Sequence, residues 1–264
     1  MDMVTQDHLY REILLEPLRK CASYLPKMGG EGEVDFDGFS RMYGADPLYH
    51  WMGLDTELMF AAHKAAGGMT SIYRQLGIGC ERLFRQTLRD QLKLDAEQVK
   101  WSYQVVLTAT KHKTLTLDGR IELSEIQDQA ARDRVAAWIE DQRAALGIST
   151  PLRGAVFEVR QGYKSADSKR QNGDIANAAQ ALADSYLPVL AVMSTQINRV
   201  VHERYLVNNW AVLLGSVGAE DSLRSTFDFL REVVGYDLEA FFARNADSLR
   251  AETELILRQL LEAK

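Results

Sequence analysis

Residues 157–172 read FEVRQGYKSADSKRQN. A short apolar run carries an acid and a base two residues apart, and a cluster of Lys, Arg, Gln and Asn leads from it into a predicted helix. Side chains two apart on a strand share a face. The pattern therefore puts Glu158 and Arg160 side by side, with Phe157 and Val159 on the opposite face. Across residues 153–171 five basic residues stand against two acids, a local charge of +3 in a chain whose formal net charge is −6. A positive island holding one acid suits metal-dependent work on a phosphate polyanion.

Outward from that stretch, 154–162 is a predicted strand, 168–185 a helix and 187–193 a strongly apolar strand. The trio is a β-α-β unit, which crosses over right-handed. Upstream, Tyr103, Val105, Leu107 and Ala109 alternate along a predicted strand, and Leu115 and Leu117 alternate against Thr114, Thr116 and Asp118 in another. Asp118-Gly119 has the composition of a two-residue hairpin turn. Helical spacing is clear over 5–25 (Leu9, Ile13, Leu14 and Leu18, with Pro17 as a bend) and over 55–66, where Gly67-Gly68 is expected to end the segment. It is clear again over 77–94, with an inward stripe through positions 81, 84, 88 and 92, and over about 125–146, ending near Gly147. Residues 27–38 read as a loop and Asp46-Pro47 as a turn. Helices are expected to dominate after residue 193. The simplest architecture is one α/β domain over 1–264, with a mixed-sheet core at about 70–215, helices on both faces, and helical additions at 1–69 and 216–264.

The bulk numbers narrow the function classes. A chain of 264 residues, 46% hydrophobic and 26% charged, has the composition of an ordinary globular protein. The longest apolar run, 186–193, is strand-sized and too short to cross a bilayer. The N-terminal MDMVTQDHLYRE carries acids where an export signal carries positive charge, so a cytoplasmic location is expected. Cys21 and Cys80 make neither a disulfide framework nor a zinc site and are expected to be reduced core residues. The five histidines are scattered, without zinc-site spacing. The glycines of 77–79 precede a helix but lack a phosphate-cradling motif. A sequence pI near 5.5 does not exclude nucleic acid, because charges act over about 8 Å at physiological salt.

Three acids occupy informative places: Asp118 at a strand end, Glu158 within a strand, and Glu81 on a helix stripe. A buried carboxylate is costly unless it is paired or binds metal. Mg²⁺ prefers oxygen ligands and takes only one or two carboxylates, keeping waters and substrate oxygens for the rest. Two carboxylates on neighbouring strands beside a cation would suit phosphodiester hydrolysis, with Lys or Arg stabilising charge on the phosphoryl oxygens.

Helix, three strands, helix and strand, with an Asp followed by an acid-x-base strand, resembles the PD-(D/E)xK nuclease superfamily. FEVRQGYKSADSKRQNGDI more specifically resembles type II restriction endonucleases of the ApaLI-like family, and the likeness extends from about Asp46 to the C-terminus. The resemblance implies a Mg²⁺-dependent endonuclease that cuts double-stranded DNA by in-line attack of water and leaves 5′-phosphate ends. It assigns Asp118 and Glu158 to the metal, with Glu81 as an additional acid, and Glu122 stands as the substitute for Asp118. Arg160 fills the slot where the superfamily has lysine. Arg stays protonated and is a poor general base, so Lys164 or Lys169 is expected to supply the missing amine. Arg160 and Lys164 are thus the expected phosphate-facing residues. Lys111, Lys113, Lys169, Arg170, Gln171 and Asn172 are the expected DNA contacts, since Arg pairs with guanine and Gln or Asn with adenine. Cutting both strands of a palindrome implies a homodimer.

Each of these features taken alone has a plainer reading. Glu-x-Arg on a strand can be a surface ion pair, Asp before Gly a turn residue, and Glu81 an acid favoured by a helix N-terminus. Their joint occurrence in this order carries the nuclease expectation. Two alternatives remain: a non-specific or repair nuclease of the same superfamily, and a catalytically inactive DNA-binding protein on the same scaffold.

Overall fold

The computed structural model describes residues 2–28, 32–108, 111–163 and 168–262, without the side chains of 105–108, 111–113, 168–172, 175 and 262. In chain order the elements are α1 (Met3–Arg19), α2 (Phe36–Gly44), α3 (Pro47–Trp51), α4 (Glu57–Leu92), β1 (Trp101–Thr108), β2 (Lys111–Leu117), β3 (Gly119–Glu122) and α5 (Gln129–Ala145). There follow β4 (Gly154–Arg160), α6 (Ser168–Ala183), β5 (Tyr186–Val192), α7 (Arg199–Val207), β6 (Ala211–Leu213), α8 (Thr226–Asp228) and α9 (Leu238–Glu262). The fold is mixed α/β. Two compact units divide it: residues 1–79 with 244–264, and residues 80–243.

In the first unit, α1 buries Tyr10, Leu14, Leu15 and Leu18 along one face. Leu15, Leu18 and Cys21 pack with Ile72, Ile256 and Leu260 into its core. Asp2, Asp35 and Asp46 each cap a helix by accepting from the backbone N–H of Thr5, Gly38 and Tyr49. The Asp46-Pro47 pair is therefore a helix start, with Pro at a position where its missing N–H costs nothing. Gly67-Gly68 does not end a helix; α4 runs through both. A Cβ at Gly67 would stand 2.1 Å from the Tyr24 hydroxyl, and one at Gly68 would stand 2.6 Å from Leu260 Cδ2. These glycines serve close packing, and that packing outweighs a helix penalty of about 1 kcal/mol each.

The second unit is built on a four-stranded sheet of order β3-β4-β5-β6. β3 runs antiparallel to β4, whereas β4, β5 and β6 are parallel, so the sheet is mixed. The expected β-α-β unit is present as β4, α6 and β5. The three-residue β6, lying where helices were expected to dominate, is too short to give a periodic signal.

Asp118-Gly119 does not turn a hairpin. β2 pairs with β1 in a separate two-stranded sheet and β3 pairs with β4, so Asp118 is the bend where the chain changes sheets. One face of β4 packs Phe157 against Phe84 of α4 at 5.1 Å and against Phe229 at 5.6 Å, and Phe229 lies 4.5 Å from Trp138 of α5. Phe229 opens a π-helical turn, Phe229–Val234, which ends at Gly235 with φ +97°. On the other face, Val156, Leu190 and Val192 meet Ala178 and Ala181 of α6, Trp101, Leu117, Tyr205 and Trp210. Both cysteines are buried and free, and burial, with a lesser push from the Glu81 charge, raises the Cys80 thiol to about 12. No helix among the described residues is long and apolar enough to cross a membrane.

Candidate metal and phosphate site

The strand alternation of β4 divides its residues as the sequence dictates. Phe157 and Val159 enter the aromatic layer, while Val156, Glu158 and Arg160 share the α6 face. Glu158 and Arg160 are both in the last three residues of the strand. Their register partners on β5 are Leu190 and Val192, and Leu213 of β6 pairs with Ala191 beside them. The acid-base pair thus stands at the carboxyl edge of three parallel strands, the edge at which open α/β sheets gather their ligands.

The Arg160 guanidinium forms an ion pair with Glu158 through Nη2 and Oε1, and its Nη1 is 4.0 Å from Oδ2 of Asp118. The three side chains are well shielded, at 8% exposure for Glu158, 12% for Arg160 and 19% for Asp118. Local structure fixes Asp118 in this place. Its N–H donates to the Phe157 carbonyl at 2.7 Å, its Oδ2 accepts from the Val159 N–H at 2.8 Å, and its carbonyl accepts from Arg85 Nε at 2.7 Å. The sheet-changing bend is therefore stitched to β4 on one side and to α4 on the other. Arg160 Nε is buried without a hydrogen-bond partner.

Glu122 occupies the opposite end of β3. It pairs with Gly154 in register, four residues and about 13 Å along β4 from Glu158. It accepts a hydrogen bond from the Tyr186 hydroxyl at 2.6 Å and lies 3.3 Å from Arg153 Nη1. Burial, then this bond to a carboxylate, pushes the Tyr186 hydroxyl up to about 12. Glu122 thus has an architectural setting, and Asp118 is the acid brought to Glu158.

Glu81 is half-buried on α4, whereas Phe84, Leu88 and Leu92 of its expected stripe are fully buried. It lies at the margin of that stripe, one turn before Arg85. Lys164 falls outside the described residues. Lys111 and Lys113 open β2, and Lys169, Arg170, Gln171 and Asn172 occupy the first turns of α6; only their backbones are described.

Three further polar residues of the second unit were not anticipated. Arg85 anchors Asp118 through its carbonyl, a contact that no sequence spacing announces. Asp174 and Asn177 are buried polar residues on α6. Asp174 accepts from the Tyr205 hydroxyl, and Asn177 Oδ1 accepts from the Tyr103 hydroxyl at 2.7 Å. Burial first, and then the Asp174 charge, raises the Tyr205 hydroxyl and keeps it a donor. The signal for both was present, because positions 174, 177, 178 and 181 lie on one helical face.

Asp118 and Glu158 would offer a cation two hard oxygen ligands. Among the described residues no group of three or more His, Cys, Asp or Glu assembles a cation cage. A two-carboxylate set fits Mg²⁺, which keeps waters and substrate oxygens for its remaining positions, and it does not fit zinc, which takes three or four protein ligands, typically nitrogen or sulfur. In comparisons with known proteins, no family model, no curated protein and no solved structure matches the chain.

Proposed function

We propose that this chain is a Mg²⁺-dependent, sequence-specific double-strand DNA endonuclease of the type II restriction class, built on a PD-(D/E)xK scaffold. The observation that carries the proposal is the meeting of Asp118 and Glu158 on Arg160 at the carboxyl edge of the parallel strands. Asp118 stands forty residues of sequence before Glu158, and the bend between the two sheets brings it to the same shielded guanidinium.

Asp118 and Glu158 hold the cation in this reading. Mg²⁺ bound there supplies Lewis acidity to a water and to the phosphate oxygens. Arg160 cannot accept a proton, so its part is to neutralise charge on the non-bridging oxygens of the attacked phosphate. Asp118 donates its own N–H to the Phe157 carbonyl and accepts the Val159 N–H on its carboxylate, which keeps that carboxylate oriented without a substrate. Lys164 and Lys169 are the candidates for the amine that the superfamily places at the Arg160 position. The first turns of α6, bearing Lys169, Arg170, Gln171 and Asn172, supply DNA contacts.

Incubating the protein with plasmid DNA and Mg²⁺, then sequencing the ends, tests this reading. Discrete fragments with 5′-phosphate ends are expected, and Glu158→Ala is expected to abolish cleavage while binding in Ca²⁺ persists. A smear of products would transfer the chain to the non-specific or repair nucleases. One observation favours a non-catalytic DNA-binding protein instead: Glu158 is already neutralised by an internal guanidinium. DNA binding indifferent to metal, without cleavage, would establish that second reading.

A further inference from the structure

The hairpin of β1 and β2 is a sheet of its own, separate from the four strands that hold the acids. Its register sets Trp101 opposite Leu117, Ser102 opposite Thr116, Tyr103 opposite Leu115 and Gln104 opposite Thr114. The face bearing Trp101 and Leu117 is anchored in the core, and Tyr103 ties it to Asn177 of α6. On the other face Ser102, Gln104, Thr114 and Thr116 are all exposed. These are uncharged groups that both donate and accept hydrogen bonds. No acid occurs between Glu97 and Asp118, and Lys111 and Lys113 lie at the distal end.

We infer that this hairpin is a ribbon that enters the major groove of duplex DNA, reading base edges with Gln104, Thr114 and Thr116 and meeting phosphates with Lys111 and Lys113. The inference rests on the nuclease reading for its partner and deepens it by assigning the specificity element. The dimensions agree. Two strands stand about 5 Å apart, and the B-DNA major groove, about 12 Å wide, admits such a ribbon. The narrow major groove of A-form RNA does not. Charge complementarity selects the same partner, because a surface without carboxylates approaches a polyanion without repulsion. β2 also ends at Leu117, the residue before Asp118, so the ribbon leads directly to the candidate site.

The test uses the whole chain and two variants, Gln104→Ala/Thr114→Ala/Thr116→Ala at exposed positions and Lys111→Ala/Lys113→Ala. Circular-dichroism melts matching the wild type verify that both fold. Each protein is put through selection in Ca²⁺ from a pool of 30-base-pair duplexes with a randomised centre. Its affinity for the unselected pool is measured by fluorescence anisotropy across a NaCl series. The wild type is expected to enrich a sequence motif. The triple variant is expected to lose discrimination by about ten-fold or more at one or more positions of that motif, while its affinity for the unselected pool stays close to wild type. For the lysine variant the slope of log affinity against log salt should fall by about 2. Identical motifs and slopes from all three proteins would overturn the ribbon, as would equal competition by an RNA duplex. Selection through the hairpin without any cleavage in Mg²⁺ would instead sink the nuclease reading and leave the ribbon standing.

Discussion

Arg160 sits with one amino group on Glu158 and the other 4.0 Å from Asp118, in a place where few water molecules reach either acid. Removing it leaves a shielded carboxylate without its counter-charge, which costs about 3 kcal/mol or more. Arg160→Ala is therefore expected to melt well below the wild type in EDTA. Excess Mg²⁺ or Ca²⁺ should raise the variant's midpoint more than the wild type's, because the ion then takes over the role of the guanidinium. Thermal denaturation with and without cation measures this, and no shift in either protein would deny that Asp118 and Glu158 bind metal. At this scale the site was partly legible. Glu158 and Arg160 follow from the two-residue period of any strand. Arg85 does not, because it acts on a main-chain carbonyl thirty-three residues away, and such donations depend on tertiary packing alone.

Among the elements, α1 and the part of α9 that begins at Arg244 are joined in the first unit by a charged clasp. Arg244 Nε and Nη2 each donate to Asp7 at 3.0 Å, and Asn245 donates a third bond to the same carboxylate at 3.0 Å. The hydrogen bond from Arg244 is the largest influence holding the Asp7 carboxyl below its ordinary value. A lowered folded-state value means that the clasp stabilises the fold fully above pH 4 or so. That contribution drains away as pH falls through the depressed value. Asp7→Asn is expected to cost about 1 kcal/mol at neutral pH, with Arg244 partly exposed and solvent screening its charge. Urea unfolding at a series of pH values should show this gap closing as pH falls below the ordinary aspartate range; a gap independent of pH would assign it to packing. α1, α5 and α6 were readable from periodicity, but α2, α3 and the continuity of α4 were not. Glycine propensity is a local quantity, and the Tyr24 and Leu260 contacts that favour Gly67 and Gly68 come from distant segments.

For the whole molecule, a formal charge of −6 opposes any polyanion, so the proposed DNA binding would be confined to segments cleared of acids. Residues 98–117 are such a segment, and the first turns of α6 carry another basic cluster. If the chain cuts both strands of a palindrome, two copies must act about a two-fold axis. Sedimentation equilibrium on a palindromic duplex is then expected to give twice 29.8 kDa of protein per DNA; one chain per duplex would restrict the enzyme to sequential single-strand nicks. The sequence announced the α/β class through its β-α-β unit but not the division of the strands between two sheets. An alternating strand looks the same whichever neighbour it pairs with, and only assembly decides between Asp118 as a hairpin tip and Asp118 as a junction. That junction sets where the chain can tolerate changes in length. One added residue between Leu117 and Gly119 turns each following side chain to the other side of the pleat, and the aspartate can no longer meet its glutamate partner. Related proteins should therefore keep the root of the β1–β2 hairpin invariant in length.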